Sequence, residues 1–169
     1  MRLLRGLNPP SRKGERIRMK RLNAYKSTSV NWAKSQANIG KLLDKVGIKD
    51  VRFTFMASQE SIICEFNYPT KVDEKEVNIG VRIIIRLPES KNQEQSKNQV
   101  HRALYYYLKT KFEALDFGLV EFVQEFMPHL IVYDKNGGTK TLYQVIAPQY
   151  NKGLITGQQG DIKMIEDKA

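Results

Sequence analysis

Residues 77–87, VNIGVRIIIRL, alternate between apolar and other side chains along the whole segment. This period of two predicts a β-strand with one buried face. The inward side would carry the apolar residues at every second position. The outward side would carry Asn78, Gly80, Arg82, Ile84 and Arg86. A strand of this kind must pair with neighbouring strands and have its apolar face covered by another layer, so the rest of the chain has to supply both.

Two more strands are predicted before it. VRFTF and SIICEFNY show the same alternation and are joined by the four residues ASQE, and Pro69 is expected to end the second strand. Short connections predict antiparallel pairing of all three strands, with one face covered by a helix. Arg52 would then lie on the same outward face as Arg82 and Arg86, and Cys64 on the inward face.

A helix is predicted over residues 27–47, with Ser27, Thr28 or Ser29 as its N-cap and Gly47 as its C-terminal stop. Trp32 has helical spacing with the leucines that follow, so we expect it in the core.

The segment HRALYYYLKTKF belongs to a second, longer helix. Residues on a helix advance by roughly 100° each, so three consecutive tyrosines cannot share one face. We expect Tyr107 in the core and Tyr105 beside it. Tyr106 would lie on the opposite side, with Arg102 one turn before it and Lys109 about one turn after it. This strip could stack on a base and contact phosphates, or it could be a solvated face in which Lys109 pairs with a carboxylate.

Two shorter helices are predicted after Gly118. The first contains LVEFVQEFMPHL, with Phe122 and Phe126 as buried anchors, and the second contains TLYQVIAPQY after a strand and a tight turn. The expected fold class is therefore α+β. It is a single domain at 27–150 in which an N-terminal helix, a three-stranded antiparallel sheet and a long helix are followed by a short helix and a C-terminal helix. Residues 1–26 are expected to form a basic flexible extension and residues 151–169 a flexible tail.

The net charge of +10 is distributed unevenly. Residues 1–21 hold eight basic residues against Glu15, so they carry +7 and the other 148 residues carry only +3. Six basic residues and one acidic residue precede Met19, so a chain that began there would carry +5. A flexible basic arm is typical of proteins that bind phosphate backbones or an acidic partner.

Several classes of function are disfavoured by the composition. No apolar run approaches the roughly 20 residues that cross a bilayer, and the polar N-terminus does not resemble a signal peptide, so a cytoplasmic protein without membrane contact is expected. Cys64 is the only cysteine and there are two histidines, which cannot form a Cys/His zinc site within one chain. No phosphate-binding glycine motif is present. We therefore expect no cofactor and regard enzymatic activity as the less favoured class.

The candidate nucleic-acid-binding residues are all basic or aromatic. They form three groups: Arg52, Arg82 and Arg86 on the sheet; Arg102, Tyr106 and Lys109 on the long helix; and Arg12, Lys13, Arg16, Arg18, Lys20 and Arg21 in the arm.

Over about residues 30–150 the chain resembles a family of small uncharacterised proteins encoded by bacteriophages, prophages and related mobile elements. The features that carry this resemblance are Trp32, Gly47, Arg102-Ala103-Leu104, Lys109, Glu113, Phe117-Gly118, the segment EFMPHL, and Gly138-Thr139 with Leu142. The resemblance implies a mobile-element context and transfers no site residue.

The order of one helix, three antiparallel strands and a helix is also similar to the double-stranded RNA-binding domain, although the second helix is longer here and basic residues are fewer.

These observations leave three hypotheses for the function. The leading one is a non-enzymatic phage or mobile-element accessory protein that binds DNA or RNA through its basic residues. The alternative is a protein-interaction module, such as an inhibitor or adaptor of a host protein, with Tyr105 and Tyr106 exposed. The third is a metal-dependent nuclease, which would need converging carboxylates such as Glu60, Glu65 and Glu76.

Overall fold

A computed structural model describes residues 24–133 and 136–151, and it has the expected α+β architecture. The helices are α1 (Trp32–Lys45), α2 (Gln93–Asp116), α3 (Phe122–Phe126) and α4 (Leu142–Asn151). The strands are β1 (Val51–Met56), β2 (Ser61–Val72), β3 (Lys75–Arg86), β4 (Ile131–Tyr133) and β5 (Thr139–Thr141). Short 3-10 helices span Ala57–Gln59 and Met127–His129.

The main sheet has the strand order β1-β2-β3, and both pairings are antiparallel, as predicted. The expectation that Pro69 ends β2 is wrong, because the strand continues to Val72 and Pro69 pairs with Asn78. β1 pairs with β2 only as far as Phe66, so no strand lies beside Pro69 on that side. A proline without an N–H is tolerated at such an unpaired edge. The hairpin then turns at Asp73 and Glu74, which both have positive φ angles.

The core lies between the inner face of this sheet and α1, α2 and α3. Its buried residues come from every layer: Ile39, Leu43, Ile48, Cys64, Phe66, Val81, Ile83, Leu104, Leu108, Phe112, Phe122 and Phe126. Phe126 is fully buried, with Phe66 edge-on at 5.9 Å and Phe122 stacked at 4.7 Å between ring centroids. The predicted anchors of the short helix, Phe122 and Phe126, are therefore confirmed.

Both long helices begin at an asparagine cap. α1 begins after Asn31, whose side chain accepts a hydrogen bond from the Ala33 N–H, so none of the expected serine or threonine caps is used. α2 begins after Asn92, earlier than its apolar pattern suggested. Gly47 and Gly118 follow the two helices with positive φ angles, which glycine adopts without a steric penalty, and both predicted stops are confirmed.

The prediction that Tyr107 is a core residue is wrong, because the residue is 40% exposed. The buried stripe of α2 consists of Val100, Leu104, Leu108 and Phe112, each four residues after the last. Tyr107 lies at the side of that stripe and reaches the 3-10 helix Met127–His129, where its hydroxyl is 2.7 Å from His129 Nε2. Three-residue spacing from Leu104 was therefore not sufficient for burial.

β5 was not predicted. It pairs with β4 in a small hairpin that reaches the outer face of the main sheet beside β3. Ile131 packs over Gly80, where an added Cβ would lie 3.1 Å from the Ile131 Cδ1 atom. The absence of a side chain at Gly80 thus allows the hairpin to approach the sheet. Thr141 ends β5 and accepts a hydrogen bond from the Gln144 N–H, which confirms threonine capping of α4.

No helix in the described ranges combines the length and apolar character that a membrane crossing requires.

Candidate nucleic-acid interface

The outer face of the main sheet carries the three predicted arginines. The strand register aligns Arg52 of β1 with Glu65 of β2 and Arg82 of β3, and it places Arg86 two positions further along β3. The prediction that these side chains share one face is confirmed. The same register places Glu65 directly between two of them.

Glu65 forms ion pairs with both neighbours. Its Oε2 accepts from Arg52 Nε at 2.8 Å and from Arg52 Nη2, and its Oε1 accepts from Arg82 Nε at 2.7 Å. Burial by itself would raise the pKa of Glu65, but the hydrogen bonds and charges of the two arginines outweigh burial and lower it. Arg82 also donates to Thr139 Oγ1 at 3.1 Å. This group of three side chains therefore has a net charge of only +1, and it ties the β4–β5 hairpin to the sheet.

Arg86 has no ion-pair partner in the described ranges and lies next to an apolar strip. Ile84 is exposed, and its cross-strand neighbour Ile63 is half-buried. The hairpin covers the sheet at Gly80, and the outer face also carries this apolar strip beside the exposed Arg86.

The predicted strip on α2 is largely occupied by the chain itself. The Tyr25 ring stacks on Tyr106 with 5.3 Å between centroids and 9° between planes. Arg102 donates from Nη2 to the Tyr106 hydroxyl at 2.8 Å, and its guanidinium lies 4.6 Å from the centre of that ring. Lys109 pairs with Glu113 at 3.3 Å, one turn later. Tyr105 packs against the core, and neither Tyr105 nor Tyr106 is fully exposed.

The arm residues Arg12, Lys13, Arg16, Arg18, Lys20 and Arg21 lie outside the described residues. The chain joins the domain at Ala24, whose carbonyl accepts from Gln99 Nε2 at 2.8 Å. The Lys26 carbonyl accepts from Gln95 Nε2 at 2.8 Å. The described chain therefore starts against α2, in the helical layer, on the side of the sheet opposite Arg52 and Arg82.

A basic surface on α1 was missed by the sequence reasoning. Lys34, Lys41 and Lys45 are all exposed, and no carboxylate in the described part of the chain pairs with them. Their spacing of seven and four residues places them on one side of the helix, away from the buried Ile39 and Leu43. We call these three residues the α1 lysine face. The sequence contains this spacing, but it does not show which lysines have carboxylate partners in the fold.

A pocket of about 240 Å³ opens between the start of α1, β1 and α2. Four of its lining residues are aromatic or imidazole side chains: Trp32, Phe53, Phe55 and His101. Gln36, Thr54 and Lys97 form its polar part. We call it the Trp32 pocket. The expectation that Trp32 lies in the core is wrong, because its ring is half-buried in the pocket wall.

His101 in this pocket is held as a neutral ring. Its Nε2 lies 2.9 Å from Gln36 Nε2, an amide nitrogen that can only donate, so Nε2 accepts and Nδ1 carries the proton. Nδ1 donates to the Lys97 carbonyl at 2.8 Å. Burial lowers the pKa of His101, and the nearby Lys97 charge lowers it further against the effect of that backbone bond.

A second, apolar groove of about 250 Å³ lies between β3 and α2 and is bordered by Tyr107 and His129. Next to it, Lys111 pairs with Glu125 at 2.5 Å. Burial by itself would lower the pKa of Lys111, but the hydrogen bonds and charges of Glu125 and Tyr107 raise it. The cation there is thus already neutralised by a carboxylate.

The described residues contain no group of three or more His, Cys, Asp or Glu side chains that could hold a metal ion. Cys64 is buried, and burial together with the Glu65 charge raises the pKa of its thiol to about 12, so it remains a protonated core residue.

Comparison with protein-family models, with curated proteins and with solved structures finds no match for this chain.

Proposed function

We propose that this protein binds nucleic acid without catalysing a reaction on it, and that the α1 lysine face provides the contact made by the folded domain. The observation that carries the proposal is the presence of three exposed lysines on one helix side without a carboxylate partner in the described ranges. Unpaired cations gain most from phosphate contact, because no internal ion pair has to be broken first.

The geometry suits a phosphate backbone. At roughly 1.5 Å of rise per residue, Lys41 lies about 10 Å along the helix axis from Lys34 and about 6 Å from Lys45. Long lysine side chains can adjust over these separations to reach successive or alternate phosphates. The basic arm at residues 1–21, with its net charge of +7, enters the domain through the segment that precedes α1. Its charge would therefore add to that of the helical layer.

The sheet arginines contribute less in this proposal than the sequence suggested. Glu65 already neutralises half of the charge of Arg52 and Arg82, and Arg102 is engaged with Tyr106. Arg86 remains free to add one contact at most. Nothing favours the nuclease alternative in the described residues, which contain no group of three or more His, Cys, Asp or Glu side chains that could hold a metal ion. The phage or mobile-element context rests on the resemblance alone.

The test is a salt titration of the full-length chain with fluorescently labelled single-stranded and duplex DNA and with RNA. We expect affinity to fall steeply with salt concentration. A variant that combines Lys34→Gln, Lys41→Gln and Lys45→Gln should bind at least tenfold more weakly at low salt. Its log–log salt slope should be smaller by about two to three, because each lost phosphate contact removes about 0.7–0.9.

A control with the same loss of charge combines Lys71→Gln, Lys75→Gln and Lys91→Gln, three lysines that are exposed outside α1. Equal weakening in the two triple variants would show that net charge matters and the α1 lysine face does not. Absence of binding by the wild-type chain at about 50 mM salt would refute nucleic-acid binding altogether.

The rival function is a protein-interaction module, and the apolar strip of Ile63 and Ile84 favours it. Recovery of one stoichiometric protein partner that resists nuclease treatment and is lost in Ile84→Asp would support this function in place of ours.

A further inference from the structure

We infer that the Trp32 pocket binds a single unstacked nucleobase together with its phosphate. This inference deepens the proposed function and rests on it, since it identifies the part of a nucleic acid that the domain would recognise. It assigns a role to a pocket that lies on the other side of α1 from the lysine face.

The size of the pocket suits one ring system. Its volume of about 240 Å³ is below the roughly 300–1,000 Å³ of pockets that hold drug-sized ligands. The side chains of Trp32, Phe53 and Phe55 line it, and Phe55 and Trp32 remain partly open to solvent. His101 lies between two of these rings, with centroids 5.9 Å from Trp32 and 6.0 Å from Phe53. Aromatic walls of this kind stack on any base, because every base has a π-face.

The indole ring is held in place from outside the pocket. Trp32 Nε1 donates to Glu94 Oε1 at 2.9 Å, and the Trp32 backbone N–H donates to Asn98 Oδ1 at 2.7 Å. Both partners belong to α2, so the wall is fixed between two helices before a ligand arrives. A fixed ring loses little conformational freedom on stacking, which favours binding.

Gln36 supplies an edge that can pair with a base. One N–H of its side-chain amide is used by His101, and the carbonyl oxygen and the second N–H have no hydrogen-bond partner in the described ranges. An amide offers a donor beside an acceptor, which is the complement of a base edge such as the N6 and N7 atoms of adenine. Nε2 of the neutral His101 ring holds the amide nitrogen of Gln36 and so determines which amide atoms remain available.

Lys97 supplies the charge for a phosphate. Its ammonium lies 4.4 Å from the centre of the Phe55 ring, and it has no carboxylate partner among the described residues. A phosphate attached to a base in the pocket would meet this cation at the rim. This charge and the Gln36 edge favour a nucleotide over the other occupant that would suit an aromatic pocket, which is an aromatic side chain of a peptide.

Trp32 is the only tryptophan of the chain, so its fluorescence reports directly on this pocket. We would titrate the full-length protein with a ten-nucleotide single strand, with an abasic strand of the same length, and with free adenosine monophosphate and adenosine. We expect saturable quenching by the base-containing strand and by the mononucleotide, with no quenching by the abasic strand. The relative affinities of strand and mononucleotide identify which source of the base the pocket prefers.

Two variants test the pocket residues without touching the core. Phe55→Ala should reduce the affinity measured by quenching about tenfold, which is the loss expected when one stacking ring is removed. Phe117→Ala removes a phenylalanine at the far end of α2 that is 80% exposed, against 40% for Phe55, and it should leave quenching unchanged. Lys97→Gln should reduce the affinity for adenosine monophosphate to that for adenosine. Unchanged far-ultraviolet circular dichroism would verify that the variants are folded.

The outcomes separate this inference from the proposed function. Strand binding seen by anisotropy, with equal Trp32 responses to base-containing and abasic strands, overturns the pocket and leaves nucleic-acid binding intact. Quenching by the mononucleotide without strand binding supports the pocket and refutes the proposed function. A Trp32 response to a tyrosine-containing peptide but to no nucleotide overturns the inference in favour of a peptide ligand.

Discussion

Glu65→Gln should destabilise the protein more than removal of a solvent-exposed carboxylate such as Glu113. Glu65 has 12% of its side chain exposed and holds Arg52 and Arg82, which are 72% and 20% exposed. The substitution preserves the shape of the side chain and removes its charge. It leaves the half-buried Arg82 with Thr139 as its main remaining partner on that side.

The loss of stability is the sum of two contributions, one from the ion pair of Glu65 with Arg52 and one from its ion pair with Arg82. The contact with Arg52 is solvent-exposed, and such pairs contribute about 0–1 kcal/mol. The contact with Arg82 is largely shielded, and a hydrogen bond to a charged group there contributes about 1.5–3 kcal/mol. The free energy of unfolding should therefore fall by roughly 2–3 kcal/mol, which lowers the melting temperature by about 5–15 °C for a domain of this size.

Denaturant unfolding at pH 7 measures this loss, with Glu113→Gln as the matched control. Glu113 forms an exposed i,i+4 pair with Lys109, so its loss should cost about 0.5 kcal/mol or less. Because the arginines lower the pKa of Glu65, its stabilisation is complete above the ordinary carboxyl pKa and disappears as the pH falls through the lowered value. The gap between wild type and Glu65→Gln should thus shrink below about pH 4. A loss no larger than that of the control, or a gap that persists undiminished at pH 2, would refute the reasoning.

Two further predictions concern titratable groups in the interior. Burial raises the pKa of the Cys64 thiol to about 12. Iodoacetamide at pH 8 should therefore label Cys64 only when denaturant unfolds the protein. Labelling of the native chain within minutes would contradict its burial. Burial lowers the pKa of His101, so the stability that its neutral form provides should be complete above about pH 6.5 and decrease as the pH falls below that value. A proton NMR titration checks this, since the chain has only two histidines, and a His101 midpoint at or above pH 6.5 would contradict it.

The main sheet was predictable from local pattern because alternation specifies which side of a strand is buried. The three strands, their antiparallel order and the outward direction of Arg52, Arg82 and Arg86 were all predicted correctly. The alternation in SIICEFNY also places Glu65 on the outer face. What the alternation did not provide was the register, and only the register places Glu65 opposite both arginines.

The helices show where local pattern was insufficient. The position of Tyr107 on a helical wheel is compatible with burial in the core. Burial also requires a neighbouring element that covers the side chain. The 3-10 helix Met127–His129 lies beside the ring and leaves 40% of the residue exposed. Similarly, Trp32 has the spacing of a core residue, yet the space between α1 and β1 is left open as a pocket. The short strand β5 carries the polar residues TKT, so its sequence had no alternation to reveal it.

The sequence by itself determined the α+β class, the position of the sheet arginines and the uneven distribution of charge, because these depend on periods of two and 3.6 residues and on composition. Tertiary structure alone decided which charges stay free. Glu65 neutralises half of the charge of the arginine pair through contacts between different strands, whereas the lysines of α1 form no ion pair in the described ranges. Whether a charge can attract a ligand depends on the groups within a few ångströms of it, and those groups are distant in the sequence.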